Sequence, residues 1–88
     1  MPARDVVIVN RRGLHARASA KFVTMASGFD AQVTVTKDGS SVGGGSIMGL
    51  MMLAAATGDT IRIETSGAQA DAALAGLAGL VESKFGED

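Results

Sequence analysis

Arg12-Gly13-Leu14-His15-Ala16-Arg17-Ala18-Ser19 is the stretch around which the rest of the chain arranges itself, and it holds the only histidine among 88 residues. Before it, Val6-Val7-Ile8-Val9 is a β-branched run of strand type. After it, Phe22, Val23 and Ala26 recur at helical spacing. His15 therefore falls where a strand gives way to a helix, at the point where the first backbone N–H groups of that helix lack partners. Those donors, with the positive end of the helix dipole, form an anion site. Arg17 adds a guanidinium whose fork matches phosphate oxygens. The same dipole disfavours imidazolium, so a neutral, nucleophilic ring is expected. A nucleophile beside a phosphate cradle is what a transiently phosphorylated histidine requires. A histidine at a helix start also serves simply as a polar capping or surface residue, and its position alone does not separate the two uses.

Outward from this junction, Arg4 to Asn10 reads as the first strand, closed by the turn-prone Asn10-Arg11-Arg12-Gly13. Ala16 to Ser27 reads as a helix with Gly28 as C-cap. Its inner face is expected to be Ala18 or Ser19, then Phe22, Val23 and Ala26, with Phe29 folding back onto the core. A neighbouring row, Ala16, Ala20 and Thr24, stays small and leaves a flat surface for another protein. Gln32 to Lys37 alternates as a half-buried strand, Asp38-Gly39 signals a hairpin, and Ser41-Val42 begins a short return strand.

Gly43-Gly44-Gly45 breaks that strand, and with no lysine following it the run is a loop and not a Walker phosphate loop. Ser46 is a good N-cap for a helix from Ile47 to about Leu53. That helix is apolar nearly all round. Leu50, Leu53 and Ala54 are expected to face inward, leaving Ile47, Met48 and Met51 as an exposed patch of the kind that meets a partner. Thr60 to Thr65 alternates as a strand with Ile61 and Ile63 inward. Ala68 to Phe85 reads as the longest helix, striped by Ala70, Ala73, Leu74, Leu77, Val81 and Phe85. The order β-α-β-β-α-β-α implies an α+β open-faced sandwich, a four-stranded antiparallel sheet with three helices on one face.

Composition narrows the function classes. One domain spanning residues 1–88 is expected, with a core of aliphatic residues, since the chain is 47% hydrophobic but has only three aromatic residues, all phenylalanine. The absence of cysteine removes disulfides and thiolate metal sites, and a single histidine removes a histidine-rich zinc site. No cofactor is called for. A net charge of −1 argues against a general nucleic-acid binder. The apolar run from Ile47 to Ala56 is too short to span a bilayer, and with no apolar signal core at the N-terminus a soluble cytoplasmic protein is expected. Arg11, Arg12, Arg17 and Lys21 surround the His15 motif with no acidic residue between Asp5 and Asp30, while Asp71, Glu82, Glu87 and Asp88 lie far along the chain. A local basic field that steers anionic partners is one reading of that asymmetry, and ordinary solvated charge the other.

The order Gly13-Leu14-His15-Ala16-Arg17, followed later by Ser46-Ile47-Met48-Gly49-Leu50-Met51, resembles the histidine-containing phosphocarrier proteins (HPr) of the bacterial phosphoenolpyruvate phosphotransferase system. The resemblance runs through essentially the whole chain. It departs at Ala18, where most members carry proline. It implies the HPr-like fold, a carrier in place of an enzyme, and His15 as acceptor through Nδ1. The phosphoryl group would come from phospho-enzyme I and pass to A components of sugar permeases. It further implies regulatory phosphorylation of Ser46 by an HPr kinase/phosphorylase, and a monomer with no membrane insertion. No carboxylate is expected beside His15 to activate water, which favours carriage over hydrolysis. Two other classes stand beside the carrier. One is a small acyl-phosphate hydrolase using the glycine turn and Arg17. The other is an interaction domain with an inert His15, including a relative serving nitrogen control instead of sugar uptake.

Overall fold

The computed structural model describes residues 2–87, so Met1 and Asp88 lie outside the described residues. Eight elements follow in order: β1 (Ala3–Val7), α1 (Ala16–Ser27), β2 (Gln32–Lys37), β3 (Ser40–Gly43), α2 (Ile47–Met52), β4 (Thr60–Ser66), α3 (Ala70–Glu82) and a 3-10 turn, Lys84–Gly86. The strands pair antiparallel in the order β1-β4-β2-β3. The three helices pack on one face of this sheet, giving an α+β open-faced sandwich. Ile61, Ile63 and Val35 lie wholly buried under Phe22 of α1 and Leu77 and Val81 of α3. Alternation on β4 produces this directly, because successive side chains point to opposite faces.

Local chemistry sets most boundaries. Asp38 and Gly39 both take positive φ, 51° and 83°, the pair that a tight hairpin turn requires. On α1 both Ala18 and Ser19 are buried with Phe22 and Ala26, while Val23 is half-buried. Ser19 donates its hydroxyl to the Leu14 carbonyl, 3.2 Å away, so its burial leaves no unpaired donor. The Phe29 ring is half-buried and rests against Gly76 of α3, where a Cβ would stand 3.1 Å from its Cζ.

Three expectations need correction. β1 ends at Val7 and not Asn10; Ile8 leaves the ladder to exchange backbone hydrogen bonds with Gly58 and Asp59. Asn10 does open the turn, its carbonyl accepting from the Gly13 N–H at 3.3 Å, and its side chain is wholly buried there. Ala54 does not face inward: α2 stops at Met52, Ala54 turns left-handed at φ 53° and is exposed, and Ala55 fills the core in its place. The last helix is shorter than Ala68–Phe85, ending at Glu82, after which Lys84 and Phe85 reverse to φ 61° and 55°. Phe85 still reaches the core, from this reversed turn and not from a helix. Among the described residues no helix is long and apolar enough to cross a membrane.

Candidate functional site

The loop before α1 is held from three sides. Gly13 sits at φ 62°, and a Cβ there would stand 2.2 Å from the Ala55 carbonyl oxygen, so only glycine lets the loop pass this close. Leu14 N–H donates to that same carbonyl at 3.0 Å, and Leu14 itself is buried. The Thr57 hydroxyl donates to the carbonyls of Asn10 and Arg11. Asn10 closes the turn from inside, its Nδ2 donating to the Gly13 carbonyl at 2.9 Å.

This framework fixes His15 as the N-cap of α1. Its backbone is extended, and the Arg17 N–H donates to Nδ1 at 3.3 Å. The ring is half-buried and not fully exposed, with 21% of its side-chain surface accessible. On the opposite edge, Nε2 lies 3.0 Å from Oε1 and 3.3 Å from Oε2 of Glu87. The expectation of no carboxylate near His15 is therefore wrong. Glu87 is 72 residues away in sequence, and the turn after α3 returns it to the site. Asn10 Nδ2 also donates to Glu87 Oε1, at 3.0 Å. The Asn10 amide and then His15 hold the Glu87 carboxyl below its ordinary range, against the opposing effect of burial. Sequence reasoning missed both residues; the signal for Glu87 was apolar Phe85 just before Gly86, which marks a pinned segment.

Arg11, Arg12 and Arg17 line an open depression of about 300 Å³ with Glu87. Three cations outweigh the one carboxylate, and the α1 N-terminus adds its dipole. The depression can hold a dianionic group.

Ser46 caps α2, its Oγ accepting from the Gly49 N–H at 2.9 Å. Of the residues expected to meet a partner, Ala16 and Thr24 are exposed and Ala20 is half-buried, beside a groove with Arg17, Lys21, Met25 and Leu80. Ile47, Met48 and Met51 are exposed at 41%, 73% and 42%, and Met52, not anticipated, at 80%.

Comparison with known proteins decides the family. Residues 2–83 match the family model described as the PTS HPr component phosphorylation site. The chain belongs to the HPr family. It is 52% identical to the phosphocarrier protein HPr of Neisseria meningitidis over 87 residues, 99% of this chain and 98% of that one. The phosphocarrier protein NPr of Shewanella violacea is 43% identical, covering 96% of this chain and 92% of its own. The crystal structure of HPr from Thermoanaerobacter tengcongensis superposes with a TM-score of 0.95 at 41% identity, covering 100% of this chain and 99% of that chain. An HPr is a phosphocarrier of the phosphotransferase system, not itself an enzyme, which sets aside the hydrolase reading.

Proposed function

We propose that His15 accepts a phosphoryl group at Nδ1 from phospho-enzyme I and passes it to A components of phosphotransferase-system permeases. One observation carries this reading: the only histidine in the sequence caps α1 with Nδ1 accepting from the Arg17 N–H, while the Glu87 at its other edge lines a depression with Arg11, Arg12 and Arg17. In the transfer the Nδ1 lone pair forms the new N–P bond as the donor's bond to phosphorus breaks, and the donor atom keeps the released electron pair. The Arg17 N–H, freed from Nδ1, and the Arg17 guanidinium then meet the phosphoryl oxygens. Solvent access to the depression keeps their hold modest, as a carrier that must release its cargo needs.

Ala16, Ala20, Thr24, Ile47, Met48 and Met51 form the docking surface for both donor and acceptor. Ser46 lies at its border, where phosphorylation by an HPr kinase/phosphorylase adds about 1.5–2 negative charges and weakens docking. The protein acts as a single-domain monomer in the cytoplasm. Likeness to NPr as well as HPr supports a second reading, in which the same chemistry serves nitrogen regulation instead of sugar uptake. Incubation with phosphoenolpyruvate and enzyme I tests the central reading. An acid-labile phosphoryl group on His15 is expected; release of inorganic phosphate alone, or no reaction, overturns it. Presenting the phosphorylated protein to A components of each branch then separates the two readings.

A further inference from the structure

The Glu87 carboxylate repels an anionic phosphoryl group and so adds nothing to its cradle, yet the fold works to place it. Phe85 is wholly buried and anchors the segment after α3, although both it and Lys84 adopt left-handed backbone that non-glycine residues disfavour. Lys21 Nζ donates to the Phe85 carbonyl at 2.7 Å and pins the same segment to α1. Asn10, buried inside the preceding turn, orients Oε1 toward the ring. The His15–Glu87 pair is also shielded, with 21% and 22% of the side chains accessible, against 49% and 52% for the surface pair Arg4–Glu82.

We infer that Glu87, oriented by Asn10, is a positioning residue that fixes the His15 tautomer and balances the charge its ring acquires on phosphorylation. This inference rests on the phosphocarrier reading. The two ring contacts agree on one protonation pattern. Nδ1 accepts from Arg17 N–H and so carries a lone pair; Nε2 faces a carboxylate and so carries the hydrogen. The nucleophilic lone pair is thereby aimed at the helix terminus. When Nδ1 forms its bond to phosphorus, the ring becomes cationic while Nε2 keeps its proton. Glu87 faces that positive charge from the edge of the ring opposite the phosphoryl group. The carboxylate takes up no proton and remains an acceptor throughout, the role that the buried aspartate plays toward histidine in a serine-protease triad.

The test pairs ring spectroscopy with transfer kinetics on the parent, Glu87→Ala and Glu87→Gln. In 15N-labelled parent at neutral pH, Nε2 should bear the proton, and its N–H resonance should be hydrogen-bonded and slow to exchange with solvent. Glu87→Gln, which keeps an acceptor without charge, should retain that resonance, and Glu87→Ala should lose it. Both variants should accept the phosphoryl group from phospho-enzyme I about fivefold more slowly, the upper end for a partly shielded ion pair. A parent ring with its proton on Nδ1, or Glu87→Ala transferring at the parental rate, overturns the inference. A parent that takes no phosphoryl group defeats the phosphocarrier reading itself; the parent and Glu87→Ala ring spectra still report separately whether Glu87 holds the tautomer.

Discussion

The N-termini of α1 and α2 are both capped by a side chain, and the two caps are chosen against opposite needs. Ser46, from the preferred class of capping residues, holds the Gly49 N–H at 2.9 Å. His15, which is not of that class, holds the Arg17 N–H at a looser 3.3 Å. The better cap serves the shorter helix. α2 has six residues and buries only Leu50 among them, so its cap is a large share of what keeps it helical. α1 has twelve residues and drives Phe22 and Ala26 into the core, so packing holds it whether or not its first turn is well capped. A reactive side chain therefore stands where tertiary packing has relieved the terminus of its structural duty. The surroundings differ in the same sense: arginines and a carboxylate around His15, exposed methionines around Ser46.

Breaking the reactive terminus should have the largest effect. His15→Ala is expected to abolish phosphoryl acceptance while losing no more than about 1 kcal/mol of stability, the usual scale of a lost cap. Autoradiography of the phosphorylated protein, alongside a urea melt, checks both halves. Gly13→Ala attacks the support in place of the nucleophile. A Cβ 2.2 Å from the Ala55 oxygen at φ 62° forces the loop apart. The expected loss is about 2–4 kcal/mol, read as a lower urea midpoint. Arg17→Ala sharpens the comparison by removing one of three guanidiniums and leaving the backbone donors. Transfer should slow about tenfold, by the loss of one charge-assisted contact. An unchanged rate constant in quenched flow means that Arg17 only solvates the surface.

The smallest effects belong to the second terminus. Aspartate caps a helix about as well as serine, so Ser46→Asp should leave stability within about 0.5 kcal/mol. Its charge, beside Ile47, Met48 and Met51, should nevertheless weaken binding to enzyme I in a calorimetric titration. Equal affinities for variant and parent uncouple Ser46 from docking.

Most of α1 and its cap are legible in the sequence because the signals are local: a glycine, a lone histidine, then apolar residues every third or fourth position. The hairpin at Asp38-Gly39 and the alternation of β4 are legible for the same reason. The misread residues depend on partners distant in the chain. Asn10 looks like a turn former, and its burial follows from a loop some 45 residues away and from Glu87 beyond α3. Ala54 continues the helical period of α2, but the helix has ended at Met52, and Lys37 donates to the carbonyls of Leu53 and Ala54 just beyond it. Periodicity puts Phe85 in the right core but by the wrong backbone path. Hydrophobic spacing reports which side chains are inside, and not how the chain arrives there.

Ile8 exchanges backbone hydrogen bonds with Gly58 and Asp59, Thr57 holds the carbonyls of Asn10 and Arg11, and Leu14 holds that of Ala55. Two loops far apart in sequence thus share one set of bonds. Neither can open alone without breaking bonds in the other, so they form a single cooperative unit of local unfolding. The amides of Ile8, Leu14 and Gly58 should therefore exchange with deuterium at one common free energy of opening. The placement of the His15 ring is then only as durable as the loop joining α2 to β4.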